Sequence, residues 1–213
     1  MPVVAVVNPK GGVGKTTLAT NLAGYYAASG KRTMLGDFDR QQSARQWLNL
    51  RPAGARPIES WEMNGEIARP PRGVTHVVLD TPAQIAGKRL SEVVRVADRI
   101  VVPLQPSMFD VLATGRFLEE LKAIFDNARR FRETVGIVGM RVDTRTRAAE
   151  QLARFVGGLG LPVAGYVRDT QNYVHLAAHG LTVFDVPSQR VDKDRATWEP
   201  LVDWLEASAT SRS

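Results

Sequence analysis

The residues best suited to chemistry form a glycine-rich segment near the start of the chain. The segment reads Lys10-Gly11-Gly12-Val13-Gly14-Lys15-Thr16-Thr17, and it stands between an apolar run and a helical pattern. Glycines let backbone N–H groups turn towards an anion, and the first turn of the following helix adds donors and a positive dipole end. In such a loop Lys15 would reach the β- and γ-phosphates of a nucleotide, the Thr16 hydroxyl would ligate Mg²⁺, and Thr17 would contact the α-phosphate. The segment therefore predicts a phosphate-binding loop for ATP.

Two aspartate-bearing segments follow strand-like runs further along the chain. Asp37-Phe38-Asp39 follows the run from Arg32 to Gly36, and Asp80-Thr81-Pro82 follows the run from Val74 to Leu79. Strands of a parallel sheet present their carboxyl ends to the ligand at one edge. A carboxylate at the first end can orient an attacking water or hold a metal-bound water, and Asp80 is suited to binding Mg²⁺. The alternatives are that Asp39 only caps a helix and that Asp80 is structural.

The glycine segment departs from the usual P-loop pattern. Pro9 occupies the position six residues before Lys15 where a glycine is expected, and a second lysine, Lys10, follows it. In this respect the segment resembles the deviant Walker A box of the ParA/MinD family of ATPases. The resemblance implies that Lys10 reaches across a nucleotide-sandwich dimer to the phosphates of the partner subunit. It also implies that ATP drives homodimer formation.

The segment from Asp37 to Gln42 is similar to switch I of that family. In the resemblance Asp39 matches the aspartate assigned to the attacking water, so the implied catalytic residues are Lys10, Lys15 and Asp39. Asp37 matches the aspartate nearer the metal. Arg40 replaces the usual proline of the segment, which leaves the loop less rigid.

Further stretches extend the resemblance from residue 2 to about residue 205. The stretch Asp80-Thr81-Pro82-Ala83 resembles switch II, and Pro187 lies where family members wrap the adenine. The likeness is greatest to the small, ParF-like members that lack an added DNA-reading domain. The implied metal ligands are Thr16, Asp37 and Asp80.

Strand-like and helical patterns alternate along the chain. This order predicts an α/β fold with a mostly parallel twisted sheet and helices on both faces. We expect one P-loop ATPase domain over residues 1–207 and a short polar tail over 208–213. The predicted strands are Pro2–Val7, Arg32–Gly36, Val74–Leu79, Arg99–Leu104, Thr134–Met140 and Pro162–Val167, and the predicted helices include Gln41–Leu50, Leu90–Ala97, Val111–Phe125, Arg147–Leu159, Tyr173–His179 and Trp198–Ala207. Residues 51–73 predict a surface excursion with one short strand near Ile58–Met63.

Composition limits the possible functions. The chain of 213 residues contains no cysteine, which excludes disulfides, thiolate metal sites and iron–sulfur clusters, and with them the iron-protein reductases that share this P-loop. The net charge of +6 permits binding to nucleic acid. Family members often place DNA contacts in the C-terminal part, where this chain has Arg168, Arg190, Lys193 and Arg195. The densest basic cluster, Arg129-Arg130-Phe131-Arg132, is equally well explained as a solvated helix end.

The resemblance implies a ParA-type ATPase that uses ATP and Mg²⁺, dimerises on ATP and binds DNA without sequence preference. A cargo-bound partner, ParB-like or a cargo adaptor, would stimulate hydrolysis, so that a plasmid, a chromosome or a protein assembly is positioned or segregated. We expect a cytoplasmic, nucleoid-associated protein that does not bind membrane. Two alternatives remain: a membrane-associated positioning ATPase of the MinD kind, which would need a basic amphipathic C-terminal helix, and an ATP-dependent metabolic enzyme on the same fold.

Overall fold

The computed structural model describes residues 2–61, 72–143 and 145–207. The predicted strand end at Met63 and the predicted tail 208–213 lie outside the described residues. The described strands are β1 (Val3–Val6), β2 (Thr33–Asp37), β3 (Glu59–Trp61), β4 (His76–Asp80), β5 (Arg99–Leu104), β6 (Val135–Met140) and β7 (Val163–Val167). The helices are α1 (Lys15–Ala28), α2 (Ser43–Leu50), α3 (Gly87–Val96), α4 (Met108–Ile124), α5 (Ala128–Thr134), α6 (Arg147–Gly158), α7 (Gln171–Ala177), α8 (Asp192–Ala196) and α9 (Glu199–Glu206), with a 3-10 turn at Ser188–Arg190.

The seven described strands form one parallel sheet in the order β3-β2-β4-β1-β5-β6-β7. Strands β1, β5 and β6 are buried along their whole length, because both faces of the sheet are covered. One face packs against α3, α4, α5 and α6, and the other packs against α1, α2, α7 and α9. The predicted α/β fold with helices on both faces is therefore confirmed.

The strand register brings the predicted site residues to one edge. Strand β1 lies between β4 and β5, so the loop that follows it leaves the middle of the sheet. Asp80 at the end of β4 is paired in register with Val6 of β1 and with Asp37 of β2. The glycine loop and both aspartates consequently meet at the carboxyl ends of three adjacent strands, where ligands of open α/β sheets bind.

Local capping sets where several helices begin and end. Helix α1 ends at Ala28, and Gly30 follows with φ of 75°, the left-handed conformation in which glycine commonly ends a helix. Helix α4 begins at Met108 rather than at Val111, because the Ser107 side chain accepts a hydrogen bond from Asp110 N. In the same way the Thr170 side chain starts α7 two residues before the predicted Tyr173.

Two short helices, α5 and α8, were not predicted. Each is short and rich in charged side chains, so no apolar periodicity marks it. The C-terminal helix α9 packs its apolar side on the core, since Trp198, Leu201 and Leu205 are all buried. No helix among the described residues is long and apolar enough to span a bilayer.

Candidate nucleotide site

The glycine loop has the backbone conformation of an anion cradle. Gly12 and Gly14 have φ of 76° and 93°, in the left-handed region that side chains disfavour. The space where Gly11 and Gly12 would carry a Cβ atom has no protein atom within 4 Å. Helix α1 begins directly after Gly14 without a side-chain cap, so its first N–H groups are available to a ligand. The loop thus leaves an open space lined by backbone donors.

Asn8 anchors this loop, and the sequence analysis did not identify it. Its fully buried side chain donates to Pro103 O of β5 at 2.8 Å and accepts from Lys10 N at 2.8 Å. On the far side of the loop, Gln105 Nε2 donates to Gly12 O at 3.1 Å. The loop is therefore fixed to the neighbouring strand before any ligand arrives, which is the preorganisation that an electrostatic site needs.

Lys15 lies within the loop and is buried. Its Nζ donates to the backbone oxygen of Lys10 at 2.7 Å. Burial lowers the pKa of Lys15, whereas the nearby carboxylates of Asp80 and Asp39 raise it. The side chain is thus a desolvated cation held beside the open space, as a phosphate contact requires.

Asp80 and Thr16 form the part of the site that can hold a metal. Thr16 Oγ1 donates to Asp80 Oδ2 at 2.7 Å, and Asp80 is 2% exposed. Its other oxygen, Oδ1, is buried and has no hydrogen-bond partner within the described residues. Burial raises the pKa of Asp80 to about 7. A hard divalent cation fits this oxygen-only donor set, with its remaining ligands drawn from phosphate and water.

The two carboxylates of the first switch segment are tied to the backbone that follows them. Asp37 Oδ1 accepts from Asp39 N at 2.9 Å, and Asp37 Oδ2 accepts from Arg45 N at 3.1 Å. Burial raises the pKa of Asp37, although these N–H donors lower it. Asp39 Oδ1 accepts from Gln41 N at 3.0 Å, and Arg40 is exposed. Among the described residues, no three His, Cys, Asp or Glu side chains form a ready metal cluster.

Lys10 forms an ion pair that was not predicted. Its Nζ contacts Asp110 Oδ1, and the Lys10 side chain remains 44% exposed while that of Asp110 is 4% exposed. Ser107 Oγ donates to the other Asp110 oxygen at 2.8 Å. The sequence places Lys10 and Asp110 a hundred residues apart, so only the fold reveals the pairing.

A cavity of about 470 Å³ opens beside the loop. Its lining comes from the loop, from the ends of β6 and β7 and from α7, and includes Gly14, Thr17, Met140, Arg141, Arg168 and Asp169. Pro187 is not in this lining: it lies on a second cavity of about 360 Å³ with Leu176, Leu181 and Val191. The first cavity continues from Thr17, so it is the better placed of the two for the base of a nucleotide. In the sequence, the signal that could have located this cavity is its place after the ends of β6 and β7, since ligands of such sheets bind at the carboxyl ends of strands.

The four basic residues predicted to contact DNA differ in their surroundings. Arg168 Nη1 donates to the buried carboxylate of Asp194 at 2.9 Å. Arg195 donates to two backbone oxygens, Val183 O at 2.7 Å and Val186 O at 2.6 Å. Arg190 and Lys193 are exposed. Arg168 and Arg195 therefore have internal bonds, with the Arg168 side chain still 41% exposed, and Arg190 and Lys193 face solvent.

Comparison with known proteins identifies the family. Residues 4–183 match the model of the CobQ/CobB/MinD/ParA nucleotide-binding domain. The chain belongs to this family. The sequence is 30% identical over 209 residues to the maintenance of carboxysome distribution protein A of Gloeobacter kilaueensis, covering 96% of this chain and 94% of that protein. It is 28% identical over 182 residues to the chromosome-partitioning ATPase Soj of Thermus thermophilus, covering 70% and 73%.

The solved structures agree on the fold. Apo McdA of Cyanothece superposes with a TM-score of 0.71 at 13% identity, covering 96% of this chain and 99% of that chain. The resemblance to the ParA/MinD ATPases seen in the glycine loop is confirmed, and the chain is a nucleotide-binding protein of that fold.

Proposed function

We propose that this protein is a Mg²⁺-dependent ParA-type ATPase that dimerises on ATP, binds DNA without sequence preference and positions a cargo. The observation that carries the proposal is the arrangement of Thr16 and Asp80. A buried carboxylate oxygen that has no hydrogen-bond partner among the described residues lies next to the phosphate loop, where a bound cation would satisfy it. The second lysine of the loop, Lys10, supports the ParA type.

The chain supplies most of what phosphoryl transfer to water requires, which is positioning and charge stabilisation. Backbone N–H groups from Gly11 to Thr17 bind the phosphates, and the Lys15 ammonium leaves Lys10 O to contact the β- and γ-phosphates. Thr16 and Asp80 would hold the Mg²⁺ together with Asp37, which is in register with Asp80 on the adjacent strand β2. The metal supplies Lewis-acid stabilisation of the phosphate charge when bound.

Asp39 is the residue we assign to the attacking water. Its carboxylate is half-buried and belongs to a segment fixed by hydrogen bonds to Asp37 and Gln41. In that position it accepts a hydrogen bond from the water and orients it for attack on the γ-phosphorus. The water's oxygen forms the new bond to phosphorus as the bond to the β–γ bridging oxygen breaks. Lys10 acts across the dimer on the partner's phosphates.

The task of the ATPase is inferred from the relatives. One relative maintains carboxysome distribution and the other is a chromosome-partitioning ATPase. We infer a cytoplasmic protein that associates with nucleoid DNA and is stimulated by a cargo-bound partner. The positive net charge suits contact with the phosphate backbone, and Arg190 and Lys193 are the exposed candidates for it.

The first test measures binding to a random-sequence duplex with ATP, ADP or no nucleotide, over a series of salt concentrations. Wild type is compared with Lys10→Ala, and with Lys88→Ala as a matched exposed lysine on α3. We expect salt-sensitive binding with ATP only, lost in Lys10→Ala and kept in Lys88→Ala. The logarithm of the binding constant should fall linearly with the logarithm of salt concentration.

Absence of binding at low salt with every nucleotide would overturn the DNA-binding part of the proposal. DNA binding that is equal with and without ATP, or that is unchanged in Lys10→Ala, would overturn the proposal of an ATP-dependent dimer that uses Lys10. Phosphate release measured in the same samples tests the ATPase separately.

A further inference from the structure

Arg51, the residue at the C-terminal end of α2, has an unusually complete set of hydrogen bonds for an arginine. Its guanidinium donates to Asp185 Oδ1 at 2.6 Å, to Asp185 Oδ2 at 3.0 Å and to Gly180 O at 3.1 Å. Two further bonds, at 2.9 and 2.7 Å, reach Arg56 O. The side chains of Arg51 and Asp185 are only 6% and 2% exposed. All N–H groups of this guanidinium are thus used, in a buried bidentate pair.

Asp185 belongs to a turn that is itself fixed to the P-loop helix. Its carboxylate accepts from Thr182 N at 2.8 Å and from Thr182 Oγ1 at 2.6 Å. Val183 N donates to Asn21 Oδ1 at 3.2 Å, and Asn21 Nδ2 donates to Thr17 O at 2.8 Å. Arg51 is therefore connected through this turn to the helix that begins in the glycine loop.

Helix α2 packs against β2 and α1 through a small apolar face that includes the half-buried Leu48. Its eight residues bury only Ala44 and Trp47, and the Arg51 guanidinium lies 5.5 Å from the Trp47 ring. The N-terminal end of α2 is bonded to the switch segment through Arg45 N and Asp37 Oδ2. A tilt of α2 would consequently break this hydrogen bond to the Asp37 carboxylate and shift the backbone that orients Asp39.

We propose that Arg51 and Asp185 form a clamp that positions α2, and with it the carboxylates of Asp37 and Asp39, relative to the P-loop helix. The inference rests on the proposed function, because it assigns the pair to the hydrolysis carried out at that site. Buried ion pairs add little net stability compared with apolar replacements, and their directional bonds can instead fix one geometry. Arg51 and Asp185 are positioning residues, since neither lies among the residues that would contact phosphate.

The test compares wild type with Arg51→Met, Asp185→Asn and the double variant. Each single variant leaves a buried group without its partner, so its melting temperature should fall. The double variant removes both charges and should recover much of that loss. An exposed pair on α5, changed in Arg129→Met/Glu133→Gln, is the matched control.

In all three clamp variants, kcat for ATP should fall about ten- to a hundred-fold, because a small misplacement of a catalytic group has a large effect on rate. The dissociation constant of a fluorescent ATP analogue should change less than about three-fold, since the glycine loop is untouched. Amide hydrogen exchange over residues 37–50 should be faster than in wild type, with residues 15–28 unchanged. The control pair should match wild type in every measurement.

The decisive comparison is the double variant. Recovery of kcat together with melting temperature would show that the pair is only structural and overturn the proposal, as would unchanged exchange over residues 37–50. If wild type itself fails to hydrolyse ATP, the proposed function fails, and the exchange measurement still decides whether the clamp positions α2.

Discussion

At the scale of single residues, the two oxygens of Asp80 have unequal surroundings. Oδ2 accepts the Thr16 hydroxyl, whereas Oδ1 is buried with no hydrogen-bond partner in the described part of the chain. Such a group is costly, and burial raises the pKa of Asp80 to about 7 because the charged form is desolvated. A bound divalent cation would reverse this effect by stabilising the charge. The residue is thus arranged for a ligand rather than for the stability of the free protein.

Asp80→Asn should reduce Mg²⁺-dependent phosphate release by a factor of at least about 100, because the amide is a poor replacement for a charged metal ligand. The ligand-free protein should melt no lower than wild type, since the change removes a buried charge without altering the volume of the side chain. Phosphate release measured over a Mg²⁺ titration checks the expected loss of activity. A thermal melt without nucleotide checks the expected stability.

Asp98→Asn is the control for this change. Asp98 lies at the opposite end of the sheet, before β5, where it accepts a hydrogen bond from Val3 N. The Asp98→Asn variant should release phosphate at the rate of wild type. Equal activity of wild type and Asp80→Asn at saturating Mg²⁺ would contradict the metal role.

At the scale of elements, α1 packs closely against the turn that carries Asp185. A Cβ atom on Gly24 would overlap the Thr182 side chain. Thr182 is fully buried and its hydroxyl donates to Asp185 Oδ2, so it has little freedom to move away. The glycine therefore sets how near the P-loop helix can approach this turn.

Gly24→Ala should lower the free energy of unfolding by about 1–3 kcal/mol, the usual effect of overpacking a core. Gly157→Ala in α6 is the matched change, because a Cβ atom there meets no atom within 4 Å. It should raise the free energy of unfolding by about 0.5 kcal/mol through helix propensity. Urea denaturation of both variants measures the difference, and equal effects would contradict the close packing.

The fold could be predicted from the sequence because most of its strands are continuous apolar runs separated by helical patterns. The glycine loop and Asp80 could be predicted because each motif is local and follows its strand directly. The partners of Lys10 and Arg195 could not be predicted from the sequence, because only folding brings Asp110 to Lys10 and Val183 to Arg195. Helices α5 and α8 were not predicted because they are short and mostly charged, so they show no apolar period.

At the scale of the whole molecule, His76 couples stability to pH. Its ring packs on Tyr26 with centroids 4.5 Å apart, at the start of a central strand. Burial, with Lys31 as a further cause, lowers the pKa of His76 from 6.5 to about 4. The unfolded chain therefore binds a proton between these two values that the folded chain does not, so protonation favours unfolding as pH falls through that window.

The free energy of unfolding should accordingly contain a His76 contribution that is full above pH 6.5 and is lost as pH falls towards 4. We expect this contribution to be about 1–2 kcal/mol. It is smaller than the full shift in the pKa of His76 implies, because the side chain is only half-buried and solvent screens it. Urea denaturation of wild type and His76→Gln at several pH values isolates the contribution. The difference between the two proteins should change by that amount between pH 7 and pH 4, and a constant difference would contradict the assignment.

The two edges of the described sheet affect whether copies of the protein associate through their strands. Strand β3 at one edge carries a charged residue, Glu59, which accepts a hydrogen bond from Arg32 Nε at 2.8 Å. Strand β7 at the other edge is out of regular register with β6 between Ile137 and Val138, and α9 packs against it. Short, charged, irregular or covered edges offer little backbone for another sheet to join. Association of copies of the protein through these described strand edges is thus disfavoured.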